Sequence, residues 1–410
     1  MHSDLLFNSI FRHYLRKVLS ANLFKNPDSQ IASRKEGKTK MTRPKILDDP
    51  EKMRKIDRGN MLSFCVRAGE HYRQAARLAE TFSVDYAKPD TIVVAGMGGS
   101  GIGGELLKDW ARDRITVPIE VCKDYSLPAY VQRKTLVFVV SYSGETEETL
   151  SVFRDAIERK CMIVCISSGG KLHEFAERLS LPHLLVPSGM APRATLPYLL
   201  IPLLTTLGKI RLVSGINDEI SETISVLKQV GLENSPEKLL DDNPSKKLAK
   251  NVRGTVPAVY GFGFYRTAAH RLKTQFNENS KNPAKWETFP ELDHNEIVGW
   301  EEPAELAECF SAIFIRDPEE PPEIRQRIEV TKGLMSRRMR RIYELHSLGT
   351  SRLTRMASVI CRGDFASVYL AILRGIDPTP VKTITLLKKE LERTGVKKKV
   401  LRELQRLASR

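Results

Sequence analysis

The sequence predicts an α/β protein of two subdomains, each a doubly wound parallel sheet flanked by helices. Three observations carry this. Apolar, β-branched runs of strand length alternate with helix-compatible segments, the order that builds parallel sheets covered on both faces. Two of these runs break abruptly into loops suited to an anion, each followed by a helix. A weaker version of the same alternation resumes after residue 250. With 410 residues, 41% of them hydrophobic, the chain is long enough for two lobes with sizeable cores.

Residues 1–44 read as a basic N-terminal extension of disordered character. The first 40 residues carry eight Lys/Arg against three Asp/Glu, and Gln30–Lys40 is polar throughout. Phe11–Leu19 has the pattern of a short basic amphipathic helix, and the segment lacks the long apolar core and cleavage site of a secretory signal.

The first domain is expected over 45–232. A helical pattern covers Asn60–Thr81. The run Thr91–Ala95 then breaks into Gly96–Met97–Gly98–Gly99–Ser100–Gly101, and Glu105–Trp110 is helix-compatible. Glycines let the backbone turn sharply and approach a ligand, and a helix N-terminus presents unpaired N–H groups to a phosphate. Gly98, Gly99 and Ser100 are therefore candidate substrate contacts. Taken alone the loop is ambiguous. Gly96, Gly98 and Gly101 also satisfy the dinucleotide pattern, with Glu120 or Asp124 as a ribose ligand, and such a turn can be only a close packing point.

A second loop shifts the balance. After a strand over Val117–Val121, the run Thr135–Val140 ends in Ser141–Tyr142–Ser143–Gly144–Glu145–Thr146, followed by a helix over Leu150–Arg159. Ser141, Ser143 and Thr146 can each donate to a phosphate oxygen where a helix begins. An N-cap accounts for one hydroxyl and not for three. A sugar-phosphate site uses such a loop and a dinucleotide enzyme does not need one. Strands over Cys161–Ser167 and His183–Pro187 and a helix over Leu196–Leu207 complete the domain. The polar, proline-containing stretch 233–250 reads as a linker. The second domain, 251–410, has strands over Thr255–Gly261 and Ser311–Ile315, a helix ending at Phe276, a break at Asp317–Pro322 and a long helix over Ser351–Leu373. In such sheets a ligand lies in the crevice at the strand C-termini.

Composition excludes several classes. No stretch approaches the ~18 uninterrupted apolar residues of a membrane span. The six cysteines form no C-x-x-C pair, which argues against a zinc site or disulfide framework and fits a reduced, cytoplasmic setting. The net charge is +15, but much of it lies at the two ends, including Lys397–Lys399, and reads as solvated surface. Neither a nucleic acid nor a membrane partner is expected.

The paired Gly-Gly-Ser and Ser-Tyr-Ser-Gly-x-Thr motifs resemble the sugar isomerase (SIS) domain. Phe276–Lys281, Leu292–Trp300, Pro187–Arg193 and Asp377–Val381 resemble, in addition, segments of the bifunctional phosphoglucose/phosphomannose isomerases, as does Leu47–Pro50 more weakly. The resemblance spans about residues 45–395. It implies two SIS subdomains and an aldose–ketose isomerase interconverting glucose 6-phosphate and mannose 6-phosphate with fructose 6-phosphate through a cis-enediol. No cofactor or metal is required by that route.

The chemistry needs one carboxylate near C1 and C2 to carry the proton, and positive charge to stabilise the enediolate. By resemblance Glu278 is the general base, Arg193 stabilises the enediolate and Lys388 lies near the sugar ring, with Lys389 making the register ambiguous. Thr379 is a weaker pocket candidate. His294, among Asp293, Asn295 and Glu296, is the candidate for ring opening, with those neighbours available to fix its tautomer. The resemblance implies that this histidine is donated across a homodimer interface. Two other readings remain at this point. A non-catalytic SIS sugar-phosphate sensor would need neither Glu278 nor His294, and an NAD-dependent oxidoreductase would use the glycine loop. A glutamine-dependent amidotransferase is disfavoured, because no cysteine-nucleophile domain precedes the SIS lobes.

Overall fold

A computed structural model describes residues 46–409, so the readings made for residues 1–44 lie outside the described residues. The described residues form one compact unit containing two parallel sheets.

The first sheet comprises β1 (Thr91–Ala95), β2 (Ile119–Cys122), β3 (Thr135–Val140), β4 (Met162–Ser167) and β5 (His183–Leu185), in the order β2-β1-β3-β4-β5. Every pairing is parallel, with Val94 opposite Phe138 and Phe138 opposite Val164. All six residues of β3 are buried, as an uninterrupted apolar run covered on both faces demands. The second sheet comprises β6 (Val256–Phe262), β7 (Lys285–Phe289), β8 (Phe310–Arg316) and β9 (Arg341–His346), in the order β7-β6-β8-β9, again all parallel. Each sheet reverses its winding beside its first strand, between β1 and β3 and between β6 and β8. That reversal opens the crevice in which doubly wound folds bind ligands.

Strands β7 and β9 are additions to the sequence reading. Their sequences, Lys-Trp-Glu-Thr-Phe and Arg-Ile-Tyr-Glu-Leu-His, are mostly half-buried edges carrying charges, so they lack the apolar continuity of central strands. Strand β2 begins two residues later than expected.

The helix Arg352–Leu373 packs against the helices Ile216–Glu233, Pro244–Val252 and Arg266–Glu278. It is long and apolar enough to cross a membrane, yet 83% of its most apolar window is buried in the body of the protein, so it serves as a core helix. The stretch between the two sheets is itself packed: Lys246 is fully buried and donates to the carbonyls of Leu47, Pro236 and Lys238. The helix Val396–Leu407, the last in the chain, returns to the first sheet. Val400 and Leu404 join Val152, Phe153 and Ala156 in one apolar cluster.

Candidate active site

The two sequence loops meet at the C-terminal edge of the first sheet. Gly98 caps the helix Gly99–Ala111 with φ +52°, a conformation that L side chains rarely adopt. Gly101 and Gly96 pack together, since a Cβ on Gly101 would lie 2.5 Å from the Gly96 carbonyl oxygen. The packing reading of this loop is thus true of two of its glycines, while Gly98 and Gly99 present N–H groups with no backbone acceptor among the described residues.

Ser100 Oγ accepts from the Tyr142 N–H at 3.1 Å, which joins the glycine loop to the hydroxyl loop. Ser141 donates to Thr146 Oγ1 at 3.0 Å, and Ser143 Oγ accepts from the Glu145 N–H at 3.2 Å. The hydroxyl protons of Ser100, Ser143 and Thr146 have no acceptor among the described residues. Three unused donors beside two helix N-termini form a cradle suited to a phosphate. Tyr142 braces it by donating to the Pro187 carbonyl and accepting from the Met190 N–H.

The 3-10 turn Pro192–Ala194 leads from this cradle to the carboxylate. A Cβ on Gly99 would lie 3.0 Å from the Pro192 carbonyl oxygen, so the glycine loop abuts the turn that carries Arg193. Arg193 is 3% exposed. Its Nε donates to Asn279 Oδ1 at 2.5 Å, and its Nη2 to the carbonyls of Pro378 (2.7 Å) and Thr379 (3.0 Å). Nη1 makes none of these bonds and lies 3.7 Å from Glu278 Oε2. Burial pushes the Arg193 pKa down, and the Glu278 charge opposes that shift. The fixed guanidinium thus presents one edge to the space beside the carboxylate, where a developing oxyanion gains most from a preorganised cation.

Glu278 is the last residue of the helix Arg266–Glu278. The chain is held just beyond it: Asn279 donates to Ser367 Oγ at 2.8 Å and Ser280 to the Ser367 carbonyl at 2.6 Å, both on the helix Arg352–Leu373. A second layer supports Arg193. Arg271 donates to the Arg193 carbonyl at 2.9 Å and pairs with Asp364 at 2.7 Å.

The lysine that reaches Glu278 is Lys281. Its Nζ donates to the carbonyls of Glu278 (2.8 Å), Asp377 (3.1 Å) and Pro378 (2.8 Å), tying the Asp377–Thr379 turn to the carboxylate's own backbone. Burial, followed by the Arg193 charge, lowers its pKa to about 8. Lys281 stood in the quoted motif without a role. Its only sequence signal was its place at the end of the Phe276–Lys281 segment; its left-handed backbone (φ +51°) is visible in the structure alone. Lys388 is exposed on the helix Lys382–Leu391, and its ammonium makes no hydrogen bond or ion pair with the described residues. Thr379 contributes its carbonyl, not its hydroxyl, to Arg193. Its Oγ1 is buried without a partner, and a Cβ on Gly59 would lie 2.0 Å from it.

His294 is exposed at the end of the turn Glu291–His294 that follows β7 and makes no hydrogen bond with a described residue. Among the described residues its neighbours do not hydrogen-bond its ring and so do not fix its tautomer. Asp293 binds Arg327 and Thr331, Asn295 binds Glu291, and Glu296 binds Tyr260 and Lys285. A cavity of about 50 Å³ lies against Arg193, Arg271 and Phe64. Neither Glu278 nor the hydroxyl loop lines it.

A family model described as the bacterial phospho-glucose isomerase C-terminal SIS domain matches residues 241–391, and one described as the SIS domain matches residues 85–189. The chain is 41% identical over 325 residues to the bifunctional phosphoglucose/phosphomannose isomerase of Caldicellulosiruptor bescii, covering 78% of this chain and 96% of that protein. It is 38% identical over 316 residues to the protein of the same name from Aquifex aeolicus, covering 77% and 94%. A solved structure of a hypothetical protein from Thermus thermophilus superposes with a TM-score of 0.67 at 16% identity over 84% of this chain and 94% of that one, a likeness of fold alone. The resemblance read from the motifs is borne out: the chain belongs to the bifunctional phosphoglucose/phosphomannose isomerase family of SIS-domain proteins.

Proposed function

We propose that this protein interconverts glucose 6-phosphate and mannose 6-phosphate with fructose 6-phosphate, with Glu278 carrying the proton between C2 and C1. The observation that supports it most is the adjacency of three elements: a cradle of unused donors, a buried arginine with one free edge, and a carboxylate 3.7 Å from that edge. The cradle holds the phosphate and so fixes the distance from C6 to the reacting carbons. Glu278 removes the acidic hydrogen beside the carbonyl, Arg193 stabilises the oxygen of the enediolate, and Glu278 returns the proton to the neighbouring carbon. Use of both aldose epimers requires the open chain to turn about C2–C3, so that the C2 hydrogen faces one carboxylate from either epimer.

Ring opening falls to His294 of the partner subunit in a homodimer. Support comes from its exposure without a side-chain partner among the described residues, and from the helix Lys382–Leu391, which buries none of its residues and leaves Leu386 and Leu387 61% and 57% exposed. The reaction is placed in the cytoplasm, where the six unpaired cysteines suit a reducing environment.

The direct test is a coupled assay of the purified chain with each aldose phosphate. Fructose 6-phosphate should form from both, and formation from neither would overturn the reading. The cradle is tested by Ser143→Ala combined with Thr146→Ala. Each lost bond to a charged phosphate is worth about 1.5–3 kcal/mol, so loss of both should raise KM by about 10²–10⁴-fold with kcat much less affected. An unchanged KM would remove the phosphate from this loop.

A further inference from the structure

The loop that offers Ser143 and Thr146 also carries a carboxylate, Glu145, between them. A fixed negative charge there opposes a doubly charged phosphate. Two groups answer it. The Lys171 N–H, in the first turn of the helix Gly170–Arg178, donates to Glu145 Oε1 at 2.9 Å. Lys397 Nζ donates to Oε2 at 2.7 Å. The ammonium of Lys171 itself is engaged with Glu174 at 2.6 Å, so among the described residues Lys397 is the cation paired with Glu145.

Lys397 arrives from the far end of the chain in the first turn of the helix Val396–Leu407, and its own N–H donates to Glu147 Oε2 at 3.0 Å. Tyr125 donates to the other oxygen of Glu147 at 2.9 Å. Val400 and Leu404, 3% and 0% exposed, seat this helix on the helix Glu147–Glu158 that starts at the loop. The ammonium is therefore delivered by a docked element. The pair is half-exposed, with side-chain exposures of 27% and 42%, and such pairs contribute little to folding. Its charge balance nevertheless acts on any anion bound by the neighbouring hydroxyls of the same loop.

We propose that Lys397 is a positioning residue for phosphate binding: it neutralises Glu145 and draws it aside, so that the Ser141–Thr146 loop accepts a dianion. This rests on the reading of that loop as the phosphate site.

The test compares the full chain, Lys397→Met, Lys397→Arg and the double variant Glu145→Gln/Lys397→Met. Inorganic phosphate is titrated by calorimetry, and KM and kcat are measured for glucose 6-phosphate. Lys397→Met should weaken phosphate binding and raise KM by the same factor, roughly three- to tenfold, with kcat unchanged. Lys397→Arg should keep the wild-type affinity. The double variant should recover to within about twofold, because the charge that Lys397 answers is gone. A double variant as weak as the single one, or a Lys397→Met protein that binds as the wild type does, overturns the proposal. A wild-type chain that binds phosphate without isomerising overturns the catalytic reading and leaves this comparison intact.

Discussion

Replacing Glu278 by glutamine should cut turnover roughly 10²–10⁴-fold while sugar-phosphate binding is largely retained. The amide keeps the length and planarity of the carboxylate and can still face the Arg193 guanidinium, but it cannot take the proton. Steady-state kinetics in both directions, together with calorimetric titration of the substrate, separate the two effects. Comparable losses in kcat and in affinity would mean that Glu278 binds substrate without acting as base. The reverse pattern, weak binding with normal turnover, would move the base elsewhere. The residue is well placed to respond cleanly, since Asn279 and Ser280 fasten the chain to Ser367 whatever stands at position 278.

Arg193→Lys should be nearly as damaging to catalysis and should cost stability as well. Lysine keeps the charge but has no fork. It cannot donate at once to Asn279 and to the carbonyls of Pro378 and Thr379, all in a region where Arg193 is 3% exposed. Leaving buried acceptors unpaired costs about 1–3 kcal/mol each, so unfolding free energy should drop by about 3 kcal/mol. kcat/KM should fall about 10²–10³-fold, the range seen when one preorganised oxyanion donor is removed. Denaturant titration and kinetics on the same preparation would check both. A stable, fully active lysine variant would show that charge alone suffices and that the clamp is incidental.

Much of this site was legible because its signals are local. An apolar run that breaks into Gly96–Met97–Gly98–Gly99–Ser100, and three Ser/Thr hydroxyls in six residues before a helix, announce themselves whatever the rest of the chain does. Central strands were legible for the same reason: β1, β3 and β4 are apolar without interruption. What escaped the sequence depends on distant parts of the chain. The clamp on Arg193 is built partly from the carbonyls of Pro378 and Thr379, and a carbonyl carries no residue signature. Lys281 matters through where its ammonium ends, against Glu278 and a turn nearly a hundred residues on. The basic tail, with its +15 context, read as solvated surface, yet Lys397 within it meets Glu145 because Val400 and Leu404 dock that helix on the first sheet. Strands β7 and β9 were hidden by their charged, half-buried composition, which an edge tolerates and a pattern search discounts.

The central claim is that one carboxylate, Glu278, passes the hydrogen between C2 and C1 as a proton. The most direct measurement equilibrates fructose 6-phosphate with the enzyme in D₂O through many turnovers and follows C1 and C2 by NMR. A proton held on a carboxylate exchanges with solvent in a fraction of turnovers, so deuterium should accumulate at C1 of the ketose and C2 of both aldoses. Glu278→Gln should slow the accumulation by the same factor as turnover. Repeated interconversion with no deuterium at either carbon would mean direct hydride transfer, and wild-type exchange in the Glu278→Gln protein would mean a different base; either result contradicts the account.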